Sequence, residues 1–293
     1  MNGLVLLDKP EGYTSFKAAA ALRRIYGIKR VGHTGTLDPM ATGVLPIMIG
    51  RATKLCSLVL EADKRYIAGV RLGVTTDSLD ITGNVLSQTV PNVSESALNE
   101  ALMHFVGTYD QVPPMFSALK KDGVRLYDLA RRGVEVERKP RQVVIKELNL
   151  LSRNENDFLI DVLCSKGTYI RSLVDDIGSF LGCGAVMTSL RRTATAQFDI
   201  SQCVTLEQVE NNPEGCLLSA EKAVDYLQEV SITEGQKKRF LNGAELSVLR
   251  LEFPKEIQNG EFLRVKCNGE FLGLGEYFEE EKILRSKCII VDK

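Results

Sequence analysis

A glycine-rich loop between residues 32 and 43 is the stretch of this chain best suited to chemistry. It reads GHTGTLDPMATG, and Asp38 is its one carboxylate. Pro39 restricts residue 38 to extended backbone, so the loop presents the acid in a narrow range of positions. An Asp-Pro pair among glycines is also an ordinary turn. Because His33, one of two histidines in the chain, lies only five residues earlier, we predict an active-site loop with Asp38 as its acid.

A second candidate group is the sequence KGTYIRSL at residues 166–173. A predicted strand, Phe158 to Cys164, leads into a predicted helix whose apolar stripe begins at Ile170, and Arg171 lies about a quarter-turn from that stripe. A cation in the first turn of a helix opposes the helix dipole, and an anionic partner would offset the cost. The sequence therefore indicates either an arginine paired with an anion or a solvated one.

Two apolar positions are harder to interpret. Residues 64–73 alternate like a half-buried strand, which places Tyr66 on its more apolar side. Leu190 lies in another predicted strand that ends in the basic pair Arg191-Arg192. From the residues alone, both side chains are core residues.

These motifs closely resemble those of the TruB family of tRNA pseudouridine synthases. The loop at 32–43 matches the family motif G-H-T-G-x-L-D-P-x-A-x-G. Further matches are L-D-K-P-x-G-x-T-S at 7–15, K-x-Y at 64–66, P-x-x-S-A-x-K at 114–120, K-G-T-Y-I-R at 166–171 and L-R-R at 190–192. The resemblance is strong over residues 1–200 and weak after residue 230.

The resemblance implies a function and a set of site residues. The implied activity is isomerisation of the T-loop uridine of tRNA, position 55, to pseudouridine, by base flipping, cleavage of the glycosidic bond and reattachment through carbon. The implied catalytic residues are Asp38, Arg171 and Tyr66, with Arg171 paired to Asp38. The implied substrate-binding residues are His33, Tyr66, Tyr169 and Leu190. Neither a metal nor a cofactor is implied.

The route taken by Asp38 stays open, as does the class of protein. Asp38 could attack the sugar, attack the base or remove a sugar proton. A non-catalytic factor that binds or folds RNA on the same scaffold is one alternative function. A carboxylate-dependent nucleoside hydrolase or glycosylase is the other, and it would release the free base.

Charge patterning indicates how an RNA would be held. The formal net charge of the chain is only -1, so a polyanion has to be met by local patches. Residues 120–146 carry nine basic side chains against four acidic ones. Such runs are often solvated faces, but concentration around a predicted hairpin at Asp122-Gly123 favours an RNA-binding surface. The predicted contacts to the RNA backbone are Lys64, Arg131 and Arg132.

The elements that must position these residues predict an α/β protein of the α+β type. The resemblance implies a pseudouridine synthase fold with a mixed, largely antiparallel sheet as residues 1–230. Short alternating segments at 245–251, 261–267, 271–277 and 283–291, separated by Asn-Gly turns, predict a small β-barrel-like module at 231–293. It resembles the RNA-binding PUA module that follows the catalytic domain in this family.

The remaining expectations concern location and partners. No apolar run approaches the roughly 18 residues that span a bilayer, and the N terminus lacks the features of a signal peptide. We therefore expect no membrane segment and a cytoplasmic protein. Seven scattered cysteines predict neither disulfides nor structural zinc. We expect tRNA as the partner of a monomer, with no obligate protein partner.

Overall fold

The structure is a computed structural model that describes residues 1–121, 123–251 and 256–291. Its helices are α1 Ser15–Tyr26, α2 Cys56–Leu60, α3 Glu95–His104, α4 Leu126–Ala130, α5 Ile170–Phe180, α6 Leu206–Asn211 and α7 Glu234–Leu241. Its strands are β1 Gly3–Lys9, β2 Val31–His33, β3 Thr42–Ile49, β4 Lys64–Leu72, β5 Val74–Thr76, β6 Val85–Gln88, β7 Gly107–Gln111, β8 Lys120–Lys121, β9 Val124–Arg125, β10 Arg141–Asn154, β11 Asp157–Cys164, β12 Ala185–Thr195, β13 Phe198–Asp199, β14 Leu218–Ser219, β15 Glu229–Ser231, β16 Leu246–Ser247, β17 Phe262–Cys267, β18 Glu270–Phe278 and β19 Ile283–Ile289.

The chain forms two compact units. The first comprises Met1–Asp38, Leu45–Leu60 and Gln202–Lys293, and the second comprises Pro39–Val44 and Glu61–Ser201. This division follows contacts rather than the boundary at residue 230, which stays a prediction.

The second unit is built on a mixed, largely antiparallel sheet. Strand β12 pairs in parallel with Thr42 and Gly43 of β3 and antiparallel with β4. Strands β4, β11, β10 and β7 follow in that order, all antiparallel. Helix α5 packs against β12 and β4. The mixed sheet expected for the fold is thus confirmed.

The first unit contains the N-terminal strand and the C-terminal module. Strand β1 pairs with β14, and β2 pairs with residues 47–49 of β3. Local signals set the bounds of α1: the Thr14 side chain accepts a hydrogen bond from the Lys17 amide, and Gly27 ends the helix at φ 64°. Residues Gly50–Leu55 form a 3₁₀ turn, and the short α2 follows it directly.

The C-terminal module is a curled five-stranded sheet in the order β15-β17-β18-β19-β16. Its core includes Val230, Phe240, Leu263 and Leu284, which confirms the predicted small β module. The predicted strand at 245–251 is wrong, because only Leu246 and Ser247 pair as β16. A 3₁₀ turn then begins, closed by the bond from the Leu251 amide to the Val248 carbonyl.

No helix in the described part of the chain is both long and apolar enough to span a bilayer.

Candidate active site

The loop that carries Asp38 is anchored on both sides within the first unit. Thr34 is fully buried, and its amide and hydroxyl both donate to the Pro46 carbonyl, at 3.1 and 3.3 Å. The Leu37 amide donates to the Ser15 hydroxyl of α1 at 2.8 Å. Asp38, which follows directly, is half-buried. The residue before the carboxylate therefore has a fixed backbone, and the role of the loop as an active site stays a prediction.

The residues that follow the loop are held by β12 in the second unit. Gly43 has φ 104°, and a Cβ added there would lie 2.1 Å from the Arg192 carbonyl oxygen, so only glycine fits. Arg192 is almost fully buried, and its Nε donates to the Val44 carbonyl at 2.7 Å. The last glycine of the motif thus lets β3 and β12 approach closely.

Tyr66 and Leu190 lie on the same side of the sheet. Leu190 of β12 is paired with Ala68 of β4, two residues along the strand from Tyr66. Residues that are paired directly, or two apart on one strand, point to the same side. Tyr66 and Leu190 each keep 8% of their surface exposed, whereas Ala68 and Val70 keep none. Both are core residues at an accessible end of the buried face, which is compatible with contact to a nucleotide.

Arg171 is buried and hydrogen-bonded to two loops. Only 5% of it is exposed. Its Nη1 donates to the Ser78 carbonyl at 3.1 Å, and its Nη2 donates to the Phe116 carbonyl at 2.9 Å. The alternative of a solvated arginine is therefore wrong. A guanidinium that is hydrogen-bonded on two edges is fixed in orientation.

The loop at residues 77–83 supplies a buried carboxylate that the sequence did not identify. Asp80 Oδ2 lies 3.9 Å from Arg171 Nε, and Asp80 is 6% exposed. Its other oxygen accepts from the Ser78 hydroxyl at 2.9 Å and from the Thr82 amide at 3.0 Å. The Ile81 amide bonds to the Met187 carbonyl of β12 and fixes the loop to the sheet. The polar sequence DSLDITG at residues 77–83 was the only local indication of this site, and nothing in it indicates that Asp80 would lie next to Arg171.

Tyr169 is the residue that precedes the first turn of α5. It is half-buried, with extended backbone at φ -101° and ψ 110°. Its amide and carbonyl both bond to the buried side chain of Gln111. Tyr169 and Arg171 thus both lie at the N-terminal end of α5.

A second acidic group lies farther along α5. The Tyr109 hydroxyl donates to Asp176 Oδ2 at 3.4 Å. Burial, and then the charge of Asp175, raise the pKa of Asp176 to about 6. Burial, and then the charge of Asp176, raise the pKa of Tyr109. No group of three or more His, Cys, Asp or Glu that could hold a metal ion occurs among the residues that the structure describes.

The predicted contacts to the RNA backbone differ in exposure. Arg131 and Arg132 are exposed just after α4, and the Arg131 guanidinium lies 4.5 Å from the centre of the Tyr127 ring. Lys64 is 7% exposed, its ammonium donates to the Ala62 carbonyl, and burial, followed by the charge of Arg192, lowers its pKa. Lys64 is therefore buried in the protein, and it is not among the phosphate contacts that we propose. Asp122 of the predicted hairpin turn lies outside the described residues, between β8 and β9.

Comparisons with known proteins cover nearly the whole chain. The family model described as TruB family pseudouridylate synthase (N terminal domain) matches residues 23–170. The model described as tRNA pseudouridylate synthase B C-terminal domain matches residues 171–230. Two curated proteins named tRNA pseudouridine synthase B are similar throughout. The one from Azoarcus sp. (strain BH72) is 45% identical over 294 residues, which is 99% of this chain and 95% of the relative. The one from Clostridium perfringens (strain 13 / Type A) is 41% identical over 297 residues and covers 100% of both chains.

Solved structures support the same assignment. A chain from an H/ACA RNP bound to a substrate RNA containing 2'-deoxyuridine has a TM-score of 0.75 at 25% identity, covering 99% of this chain and 85% of that chain. A chain from a Cbf5-Nop10-Gar1 complex has a TM-score of 0.74 at 28% identity, covering 99% of this chain and 84% of that chain. Sequence motifs, family models, full-length relatives and fold agree, and the chain belongs to the TruB family of pseudouridylate synthases.

Proposed function

We propose that this protein isomerises the T-loop uridine of tRNA, position 55, to pseudouridine, with Asp38 as the catalytic residue. The observation that carries the proposal is the buried guanidinium of Arg171, which donates hydrogen bonds to the Ser78 and Phe116 carbonyls. Arg171 belongs to the KGTYIR motif of a chain in the TruB family. A fixed cation in a dry site is suited to orient a carboxylate, and Asp38 stands at the catalytic position of the family motif.

The reaction requires a base that is buried in a folded loop to leave its stack. His33, at the histidine position of the family's loop motif, would take part in flipping. Tyr66 and Leu190 would contact the flipped nucleotide from the accessible end of their common face, and Tyr169 would contact it from the start of α5. Asp38 would break the glycosidic bond by one of the three routes left open by the sequence. The detached base would then turn and rejoin the sugar through carbon.

Binding of tRNA would depend on exposed cations rather than on net charge. Arg131 and Arg132 are exposed next to the basic hairpin β8–β9, and each would neutralise one phosphate. The curled C-terminal sheet would add contacts as an RNA-binding module, residues 231–293 of the predicted division. We further propose that the enzyme acts as a monomer in the cytoplasm, where tRNA is available.

A nucleoside mass balance tests the proposal against both alternatives. Unmodified tRNA transcript is incubated with the protein, the RNA is digested to nucleosides, and the nucleosides are separated and their masses measured by mass spectrometry. An isomerase converts uridine to a nucleoside of equal mass that forms a carbodiimide adduct stable to alkali. A glycosylase would release uracil, and an RNA-binding factor would leave the nucleosides unchanged. Mapping the adduct along the transcript tests the assignment to the T loop, and a transcript with cytidine at that position is the matched control.

A further inference from the structure

The side chain of Gln111 hydrogen-bonds to both backbone polar groups of Tyr169, a residue of the candidate site. Gln111 ends β7 and is 1% exposed. Its Oε1 accepts from the Tyr169 amide at 2.8 Å, and its Nε2 donates to the Tyr169 carbonyl at 3.1 Å. A backbone amide can only donate and a carbonyl can only accept, so these two bonds fix the orientation of the Gln111 amide.

The bonded residue is one whose backbone needs an external support. Tyr169 occupies the position before the first turn of α5, where a serine, threonine or aspartate side chain usually satisfies the free helix amides. A tyrosine side chain offers no such cap, and none is made here. Gln111 accepts from the amide of Tyr169 itself, a different amide from those that a side-chain cap binds, and shares the Tyr169 carbonyl with the Leu173 amide, which donates to it at 3.0 Å.

The Gln111 side chain is itself held by hydrogen bonds through Tyr109 to Asp176. Gln111 Nε2 also donates to the Tyr109 hydroxyl at 2.5 Å, and that hydroxyl donates to Asp176 Oδ2 at 3.4 Å, one helix turn or more beyond Ser172. The Ser172 hydroxyl donates to the Val112 carbonyl at 2.9 Å. Strand β7 and Val112 therefore hydrogen-bond to Tyr169, just before α5, and to Ser172 and Asp176 within it.

The same segment reaches the guanidinium of the candidate site. Five residues after Gln111, the Phe116 carbonyl accepts from Arg171 Nη2. The stretch 109–116 thus sets both the backbone of Tyr169 and one edge of Arg171. A displacement of about one ångström in a residue that positions the substrate can lower a rate by about a hundredfold.

We propose that Gln111 is a positioning residue for the isomerisation: its side-chain amide holds the backbone N–H and C=O of Tyr169 so that the Tyr169 ring meets the flipped nucleotide in a reactive pose. The effect on rate rests on the proposed function, but the hydrogen bonds between Gln111 and Tyr169 can be tested without an activity assay.

Two substitutions of Gln111 change its hydrogen bonds in different ways. Gln111→Met keeps the approximate volume and removes all three hydrogen bonds. Gln111→Glu keeps an acceptor for the Tyr169 amide and regains one donor when its carboxyl is protonated. The titratable groups near this position are Tyr109 and Asp176, with Asp175 and Cys164 acting on them, and while Asp176 is ionised, above its pKa of about 6, its negative charge favours the protonated form of a new carboxyl. The control variants are Ile145→Val and Ile145→Ala, at a fully buried position of β10 that pairs with β7, which loosen the same sheet edge and leave the Gln111 side chain intact.

The measurements are the single-turnover rate at saturating tRNA, tRNA affinity, Tm, and hydrogen–deuterium exchange at the Tyr169 amide. For Gln111→Met we expect a rate at least about tenfold below that of an Ile145 variant of equal Tm. Affinity should stay within about twofold, because Gln111 is buried, and the Tyr169 amide should exchange faster than in the controls. Gln111→Glu should gain rate relative to wild type as the pH falls from about 8 to about 6.

The possible failures can be told apart. If wild-type protein forms no pseudouridine, the proposed function fails, and amide exchange alone then decides whether Gln111 holds Tyr169. If wild type is active and the Gln111→Met rate matches that of the Ile145 variant with equal Tm, Gln111 is merely structural and the inference is overturned. If Gln111→Met does not fold, the same comparison is made with Gln111→Glu, whose flat pH ratio would overturn the inference.

Discussion

Replacing Arg171 by lysine tests whether the shape of the guanidinium, and not only its charge, builds the candidate site. Lysine keeps the positive charge but offers one compact ammonium in place of a planar fork. In the structure the fork spans two carbonyls, of Ser78 and Phe116, that belong to different loops. A single ammonium can reach one of them, so the other carbonyl loses its donor.

The expected magnitude follows from those bonds. A hydrogen bond that involves a charged group contributes about 1.5–3 kcal/mol, and an acceptor left buried without a donor adds to the cost. Asp80, 6% exposed, would also lie farther from its cationic neighbour. We therefore expect Arg171→Lys to lower the free energy of unfolding by about 2–3 kcal/mol, which corresponds to a fall in Tm of about 5–10 °C.

The effect on catalysis should be larger than the effect on stability. If the guanidinium fixes the catalytic carboxylate, the single-turnover rate at saturating tRNA should fall by at least about a hundredfold at a temperature where the variant is fully folded. Urea unfolding gives the stability, and quenched-flow sampling followed by nucleoside analysis gives the rate.

The matched control is Arg71→Lys. Arg71 also makes a two-point contact, with Asp157 at 2.7 and 3.1 Å, but its side chain is 46% exposed. An exposed pair of this kind contributes less than about 1 kcal/mol, and its removal should leave the rate unchanged. Equal stability and equal rate in the two lysine variants would refute the claim that a buried fork organises the site.

Three further changes separate the roles assigned to other residues. Tyr66→Phe should lower the saturating rate at least about tenfold while costing about 1 kcal/mol of stability or less; unchanged turnover would return Tyr66 to a purely structural role. Arg131→Ala with Arg132→Ala should weaken tRNA binding and reduce the logarithmic salt slope by about one unit for each phosphate that is no longer neutralised, with the saturating rate preserved. An unaltered slope in filter binding would exclude these two residues as phosphate ligands. Because burial raises the pKa of Asp176 to about 6, its ionisation opposes folding above that pH and not below the unfolded value near 4. Asp176→Asn should therefore raise Tm at neutral pH by about 2–4 °C, allowing for partial exposure, and lose that advantage near pH 4; a gain of equal size at both pH values would contradict the assignment.

Features that depend on neighbouring residues could be predicted from the sequence. The cap at Thr14, the stop at Gly27 and the alternation of β4 are all set within a few residues, and the structure contains each of them. The buried, polar-bonded state of Arg171 could be anticipated only as one of two alternatives, because a helical position leaves open whether a neighbouring loop or water covers it.

Features that depend on distant contacts could not be predicted. Gln111 and Tyr169 are 58 residues apart in the chain, and Ser78 and Arg171 are 93 apart. Nothing local in either sequence specifies the partner. For Lys64, general experience with lysine points to the surface, because lysine is almost never fully buried unless paired. An exposed contact to an RNA phosphate was therefore the natural expectation. Its ammonium is nevertheless bonded to a nearby carbonyl within the protein.

Tritium release from C5 of uridine in tRNA measures directly the chemical step that we assign to Asp38. Rejoining the base to the sugar through C5 expels the C5 hydrogen, so each pseudouridine formed releases one tritium to water. Wild-type protein should release the label from a single uridine per tRNA. Asp38→Asn, an isosteric change that leaves neither a nucleophile nor a base, should bind the same tRNA with wild-type affinity and release less than about one percent as much in equal time. Release by a folded Asp38→Asn protein at a rate near that of wild type would show that another group performs the chemical step.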